Sequence, residues 1–516
     1  MKGMTGLIIV VFIAFIFARP AFTQAPPQSE ISELKTEIEL LKQRQADSAR
    51  MIDALEKKID VLQQAQLAQP APTAQSSESI AGQTRAEVDP PREAAAPPAA
   101  SAQAEAEAQQ RPKISGPESD RAPGMQSRDV FSEDRDAAPR IDNVPLNPEM
   151  AGFFRLGESP TLMRLGGYAK LDVIHDFKLP GDPDLFITSA LPLQPVPPAN
   201  STNVHIRQSR FNVEIRRPTS IGDLRVLYEN DFFGTSPTNF HLRHLYGQLK
   251  NVLVGWTFTT FMDIDSLSDT LDFEGPGSSV FIAQPQFRYT WPLNKANSLA
   301  FGVEKPTTDL NVTNPTRPNV AVTPTTPIPD FVIRYRYETE KGHLQAATVL
   351  RSVGGSASAT QAVGVYATKH VFGWGENISG AVKTFGKDSF QFQGAFGNGI
   401  GRYLEDLTGL GADAAVNNGK LVATPAFGTF GTYQHYWTNT LRSSAVYGYL
   451  ILQKEQSQDP AFFHQSQYSA GNLIWNPAGN LHIGLEYVYG RLTSKGNDRG
   501  YGSRMQMSMQ YDFYKW

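Results

Sequence analysis

From residue 165 onward the chain repeatedly alternates apolar and polar residues, and this period restricts the possible folds more than any other feature. Phe211, Val213 and Ile215 alternate with Arg210, Asn212, Glu214 and Arg216. Phe331, Ile333, Tyr335 and Tyr337 alternate with Arg334 and Arg336. Similar runs lie at 169–173, 224–231 and 286–291. Successive side chains of a strand point to opposite faces, so each run reads as a half-buried strand. A soluble sandwich would alternate too, but three features argue for a transmembrane barrel. The polar face carries full charges over many strands. Aromatic pairs such as Tyr289 with Trp291, Tyr447 with Tyr449 and Tyr487 with Tyr489 recur near strand ends, as interfacial girdles do. Long polar loops, at 178–203 and 305–330, are set against short turns elsewhere. No segment past residue 24 is continuously apolar over the ~20 residues a helical span needs. A closed barrel is then the one membrane-crossing structure left. The expected fold is an all-β transmembrane barrel of about 16 antiparallel strands, at ~22 residues per strand and turn.

Composition divides the chain before that barrel. Every Tyr and Trp lies at or after Tyr168, and no aromatic occurs between Phe22 and Phe131. So long a stretch without rings buries no globular core, which assigns the folded mass to 151–516. Lys2, an apolar run over 7–18 and small residues after Pro20 form a secretory signal, expected over 1–24. Residues 25–66 carry heptads. Ile31, Ile38, Ile52 and Ile59 fall at one seam position and Leu34, Leu41, Leu55 and Leu62 at the other, with Gln45 and Ser48 as a polar layer. This is a coiled-coil pattern whose Ile/Leu seam by itself favours two strands. Residues 67–150, rich in Ala, Pro and Gln, read as a flexible linker. A net charge of −4 is too small to attract nucleic acid by bulk field. The absence of cysteine excludes disulfides, thiolate catalysis and Cys-based metal sites. No cofactor is expected.

Several stretches carry a family resemblance: GGYAKLDVIHDF (166–177), SRFNVEI (209–215), GDLRVLYENDFFG (222–234), TFMDIDSLSDTLDFEGP (260–276), QPQFRYTW (284–291), GNGIGRY (397–403) and LHIGLEYVYGR (481–491). Over 165–513 the chain resembles the DcaP-like trimeric porins of Gram-negative outer membranes. The resemblance implies a homotrimer in the outer membrane, a coiled coil in the periplasm, and uptake of dicarboxylates. Gly255, Trp256, Thr257 and Phe258 depart from the Gly-Gln-Thr-Trp of similar sequences; if that second position faces the lumen, Trp256 narrows the pore. At the C-terminus Met505, Met507, Met509, Tyr511 and Phe513 alternate as in the last strand read by barrel-assembly machinery. The signal ends at Phe513 or Trp516; Phe513 is favoured because counting from Trp516 puts Asp512 and Gln510 toward lipid.

Strand parity aims Lys170, Arg210, Arg225, Arg288, Arg334, Arg336 and Arg351 into the lumen. The loop 259–285 is expected to fold inward as a constriction carrying Asp263, Asp265, Asp269, Asp272 and Glu274. Cationic groups at a constriction favour anions, and the guanidinium fork suits carboxylates. The competing reading is that these arginines pair with the acids and hold the loop. His241 and His244 are too few for a metal site. His435 and Ser443 flank one hairpin, but the histidine sits among girdle aromatics, and no nucleophile elbow exists. A passive porin for small hydrophilic solutes, with small anions as the preferred class and no enzymatic activity, is the expected function. The alternative is a barrel-anchored tether acting through its coil. Removing residues 25–150 is predicted to leave a barrel that refolds from urea into micelles and conducts. Failure to refold would refute the division drawn at 150.

Overall fold

A sheet that faces lipid can leave no free edge, because unpaired backbone groups are costly in hydrocarbon. The chain satisfies this by pairing its last strand with its first. In the computed structural model the described residues are 152–178, 181–194, 199–234, 239–310, 322–357, 369–417, 420–455 and 458–513. The expected signal, coiled coil and linker lie outside them, as does Trp516.

Sixteen antiparallel strands form the wall. The first four are β1 (Leu162–Lys178), β2 (Arg210–Thr219), β3 (Gly222–Asp231) and β4 (His241–Leu249). Next come β5 (Val252–Phe258), β6 (Ala283–Pro292), β7 (Asn297–Glu304) and β8 (Asp330–Thr339). Then follow β9 (Gly342–Ala357), β10 (Lys369–Lys383), β11 (Ser389–Asn398) and β12 (Pro425–Tyr436). The last are β13 (Leu441–Leu452), β14 (Phe463–Ala478), β15 (Leu481–Ser494) and β16 (Arg499–Asp512). Each strand pairs with its successor, and β1 closes the barrel on β16 from Tyr168↔Asp512 to His175↔Met505. At Gly167 a Cβ would stand 2.1 Å from the Arg210 carbonyl oxygen, at φ +128°, so glycine permits the close approach of β1 to β2 there.

Parity sets the two faces. On β8 Phe331, Ile333, Tyr335 and Tyr337 are exposed on the outside, while Val332 and Arg336 are buried within. On β16 Met507, Met509 and Tyr511 face out, and Arg504, Gln506, Ser508 and Gln510 are buried inside. Phe513 is exposed just past the strand, on the lipid side. Short turns join strands at the end where the barrel begins and finishes, which is the periplasmic end of such a barrel, and long loops join them at the other.

Wall height varies. β5 has 7 residues and β7 has 8, whereas β9 has 16 and β14 has 16. The lumen also holds a packed apolar cluster. Phe186 and Leu191 of the first long loop, Phe261, Met262 and Val280 of the third, and Ile400, Tyr403, Leu404 and Leu407 of the sixth meet wall residues such as Val349, Ala395 and Leu450. Three loops therefore fold inward, where one was expected. The physical reason is visible in the wall: Val332, Ala347, Val349, Ala395, Ala426, Val446 and Leu450 put apolar surface inside the barrel, and it is covered by loop side chains.

Placing a charge on the lipid face costs most near the bilayer middle. Met507→Arg is predicted to lower barrel stability by about 2–4 kcal/mol in lipid-refolding titrations. A change below ~0.5 kcal/mol would show that this face of β16 does not meet hydrocarbon.

Candidate functional site

The third long loop, 259–282, leaves β5 and crosses the lumen before returning at β6. Its start is fastened by Glu304, which accepts from Thr260 N–H at 2.6 Å and from the Thr259 hydroxyl at 2.5 Å. Gly302 makes room beside them, since a Cβ there would lie 2.6 Å from Thr260 Oγ1. The loop then meets β8–β10. Asn377 donates to the Phe261 carbonyl (2.8 Å) and Gln345 to that of Met262 (3.0 Å). Asp263 accepts from Arg336 (3.1 Å), His343 (2.8 Å) and Ser379 (2.8 Å), and Asp265 accepts from Arg336 (2.7 Å). Farther round, Asp269 is held by Arg442 and Gln434, both at 2.7 Å. Glu486 of β15 then accepts the Leu271 and Asp272 N–H groups at 3.0 and 2.9 Å. Asp272 itself accepts from the N–H groups of Phe186 and Gly275 and from the Tyr468 hydroxyl.

The acids proposed from sequence are thus brought into the lumen, but four of the five are engaged by wall or loop donors. Glu274, half-buried, stands beside Asp406 of the sixth loop. Burial, and then the neighbouring Asp406 and Asp272 carboxyls, hold Glu274 well above the ordinary carboxylate range. Burial also raises Asp406 to about 6, although it accepts from the Thr188 hydroxyl and from Ser189 N–H (2.9 Å). This junction ties the first, third and sixth loops together.

The basic residues divide into two groups. All seven take inward positions on the wall; six are buried and Arg334 is half-buried. Arg336 pairs with Asp263 and Asp265, and Arg351 with Asp330 (3.3 Å) and Asp413 (3.1 Å). Arg225 pairs with Glu214 at 2.9 Å and Arg210 with Glu229 at 3.7 Å. Lys170 sits 3.2 Å from Asp172 and donates to the Leu271 carbonyl. The second group is Arg288 and Arg334, on β6 and β8, with β7 between them. Arg288 donates to Thr260 Oγ1, Gln286 Oε1 and the Phe258 carbonyl (2.9, 2.8 and 2.6 Å), all uncharged. Arg334 makes no hydrogen bond or ion pair among the described residues, and its Nε is buried without an acceptor. The register places Ala300 beside Arg334 and Gly302 beside Arg288, so β7 leaves small residues between the two guanidinium groups.

Trp256 is not in the pore. It pairs with Leu245, which is exposed on the outer face, so the inward neighbours are Gly255 and Thr257. The conditional narrowing by Trp256 is therefore corrected by the pleat. Sequence reasoning missed Arg442, Arg504 and Arg402. Arg504 holds Asp176 at 2.7 Å, and Arg402 holds Asp330 at 3.3 Å. The parity of Arg442 and Arg504 was readable; the inward course of 399–413, which carries Arg402, had no periodic signal. His435 and Ser443 are opposite each other, but His435 Nδ1 lies 2.7 Å from Asp388 and the Ser443 hydroxyl accepts the Trp437 indole N–H at 3.0 Å.

A closed barrel with a lumen-crossing third loop and a charged inner wall is the architecture of an outer-membrane porin-type channel. The family profile described as DcaP outer membrane protein matches residues 158–513, and the chain belongs to that family. Among solved structures, the outer membrane channel DcaP of Acinetobacter baumannii superposes with a TM-score of 0.61 at 17% identity, over 70% of this chain and 99% of that one. The trimer form of OmpT of Vibrio cholerae gives 0.43 at 12% identity, over 69% and 100%. The anion-selective porin from Comamonas acidovorans gives 0.43 at 10%, over 68% and 100%. No curated protein sequence matches at a significant level.

Two outcomes follow from the geometry. Arg442→Ala strands Asp269 in the lumen, and a buried partner lost in this way costs about 3–5 kcal/mol. Noisier single-channel current and faster proteolysis of the third loop are expected; unchanged traces would show that Asp269 does not fasten it. Asp406 is protonated more readily in the fold than in the unfolded chain, so its contribution to holding the loops is present at pH 4 and lost as pH rises through about 6. Hydrogen exchange of 399–413 is predicted to quicken between pH 5 and 7 beyond the intrinsic rate, and Asp406→Asn to abolish that excess.

Proposed function

We propose that this porin is a passive, non-enzymatic channel for small hydrophilic solutes, with a preference for anions and for carboxylates above all. One observation carries the reading: Arg288 and Arg334 face the lumen without a carboxylate partner, next to the fastened start of the third loop. Four of the loop acids already have donors, and Glu274 and Asp406 are biased toward their neutral forms. Glu304, whose donors Thr259, Thr260 and Gln284 are uncharged, offsets one of the two guanidinium groups, and that side of the pore keeps a net cationic charge. A carboxylate passing it loses part of its hydration and gains charge-assisted hydrogen bonds of about 1.5–3 kcal/mol each. Release requires weak binding, so affinities on the order of millimolar are expected. Arg336, Arg351, Arg225 and Arg210 serve mainly to fasten loops and wall acids. On the non-enzymatic side, His435 and Ser443 are each engaged elsewhere, with Asp388 and Trp437, and do not form a nucleophile–base pair.

A homotrimer fits the wall heights. At ~3.3 Å per residue and a tilt near 40°, the 7 residues of β5 rise about 18 Å, less than the ~25 Å apolar band of such barrels. A protein neighbour covers that side better than lipid does.

Succinate added to one side of a planar bilayer is predicted to reduce ion current at millimolar concentration. The double variant Arg288→Ser, Arg334→Ser should need several-fold more succinate for the same reduction. Equal block of both proteins would make these arginines bystanders. Light scattering in mild detergent is predicted to give three times the chain mass; a monomer mass refutes the trimer.

A further inference from the structure

The seven periplasmic turns are unlike one another. The first five, in order around the barrel, carry exposed cations: Arg217 at the end of β2, Lys250, Lys295, Lys341, and then Lys383 with Lys387. The last two, residues 437–440 and 479–480, contain no charged residue. Carboxylates near the basic arc are few or turned away. Asp388 accepts from Tyr433 (2.9 Å), His435 (2.7 Å) and the Tyr436 N–H (2.9 Å), so its oxygens are turned to these donors and not to the neighbouring Lys387. Glu338 accepts from Arg336 at 3.1 Å. Glu340 is exposed, and Asp223 is half-exposed.

A second observation concerns apolar residues in the same turns. Ile221 is 60% exposed, Leu293 44% and Phe385 80%. Leu293 and Phe385 lie just beyond the lipid-facing residues Trp291 and Val382, so the apolar outer surface continues past these strand ends into the turns. An exposed ring at a turn tip, flanked two residues either way by Lys383 and Lys387, has the amphipathic form of a group that enters lipid while its neighbours stay at headgroup level.

We propose that the part of this arc away from the short β5 wall, Lys341, Lys383 and Lys387, binds the anionic headgroups of phospholipids in the periplasmic leaflet, with Phe385 set among the acyl chains. Exposed lysines near an anionic surface each strengthen binding several-fold at low salt, and the effect fades within a Debye length. On these two turns Lys341, Lys383 and Lys387 outnumber the exposed Glu340 and direct that attraction to one arc, leaving the neutral turns after β12 and β14 without preference.

Retention of dioleoyl phosphatidylglycerol and of dioleoyl phosphatidylcholine by the full-length protein in detergent micelles can be compared by native mass spectrometry. Several-fold greater retention of phosphatidylglycerol is expected, shrinking as salt rises. The triple variant Lys341→Gln, Lys383→Gln, Lys387→Gln should lose the preference while holding phosphatidylcholine as before. Its heat-modifiable migration in gels checks that the barrel is folded. Phe385→Ser should weaken retention of both lipids. Equal retention of the two lipids by the unmodified protein, or a preference that survives in the triple variant, overturns the proposal. So does binding to purified peptidoglycan sacculi that the triple variant loses with no lipid preference in either protein, because the arc would then face the cell wall.

Discussion

A charge on the inner wall of a closed barrel has few places to go. Every second residue of sixteen strands points into the same confined space, and an ionised group there must find water, a counter-charge or a ring of donors. In this chain some counter-charges come from the strands of the wall, as Glu214 does for Arg164, Arg216 and Arg225, and others come from loops. Arg336 takes Asp263 and Asp265, Arg442 takes Asp269, and Arg351 takes Asp330 with Asp413. The same ion pairs that satisfy the wall decide where the loops lie, and so they decide what is left of the pore.

That coupling separates fastening from selectivity. An arginine that holds a loop acid contributes little net field to a passing solute, because its charge is compensated at about 3 Å. Arg288 and Arg334 differ because their partners are uncharged or absent among the described residues. They sit where Gly302 and Ala300 keep the wall low and where Thr260 begins the loop. The apolar cluster of Phe261, Tyr403 and Leu404 works in the same direction: it stiffens the loops against the wall, so the cationic side has a fixed neighbour.

Legibility followed sequence distance. The barrel, its strand number and the inward parity of Lys170, Arg210 and Arg288 rest on a period of two, which any ten-residue window displays. The ion pairs do not. Arg442 meets Asp269 across 173 positions and Arg336 meets Asp263 across 73, and nothing local in either segment specifies the other. For the same reason the first and sixth loops, without periodicity or a run of acids, gave no sign that Phe186 and Tyr403 would be buried inside the barrel. Trp256 shows the limit from the other side. Its position was clear, but its face depended on pairing with Leu245, which only the register of β4 with β5 supplies. The coil seam from Ile31 to Leu62 lies outside the described residues.

The proposed selectivity requires a net positive charge in the lumen. The reversal potential of the unmodified channel in a potassium chloride gradient reads this directly, since equal mobilities of the two ions leave the pore to set the sign. A potential on the chloride side of zero is expected at pH 5, shrinking but keeping its sign as pH passes 7 and the Asp406 carboxyl ionises. A potential of the cation-selective sign at pH 5 would contradict this, and would mean that lumen carboxylates outweigh Arg288 and Arg334.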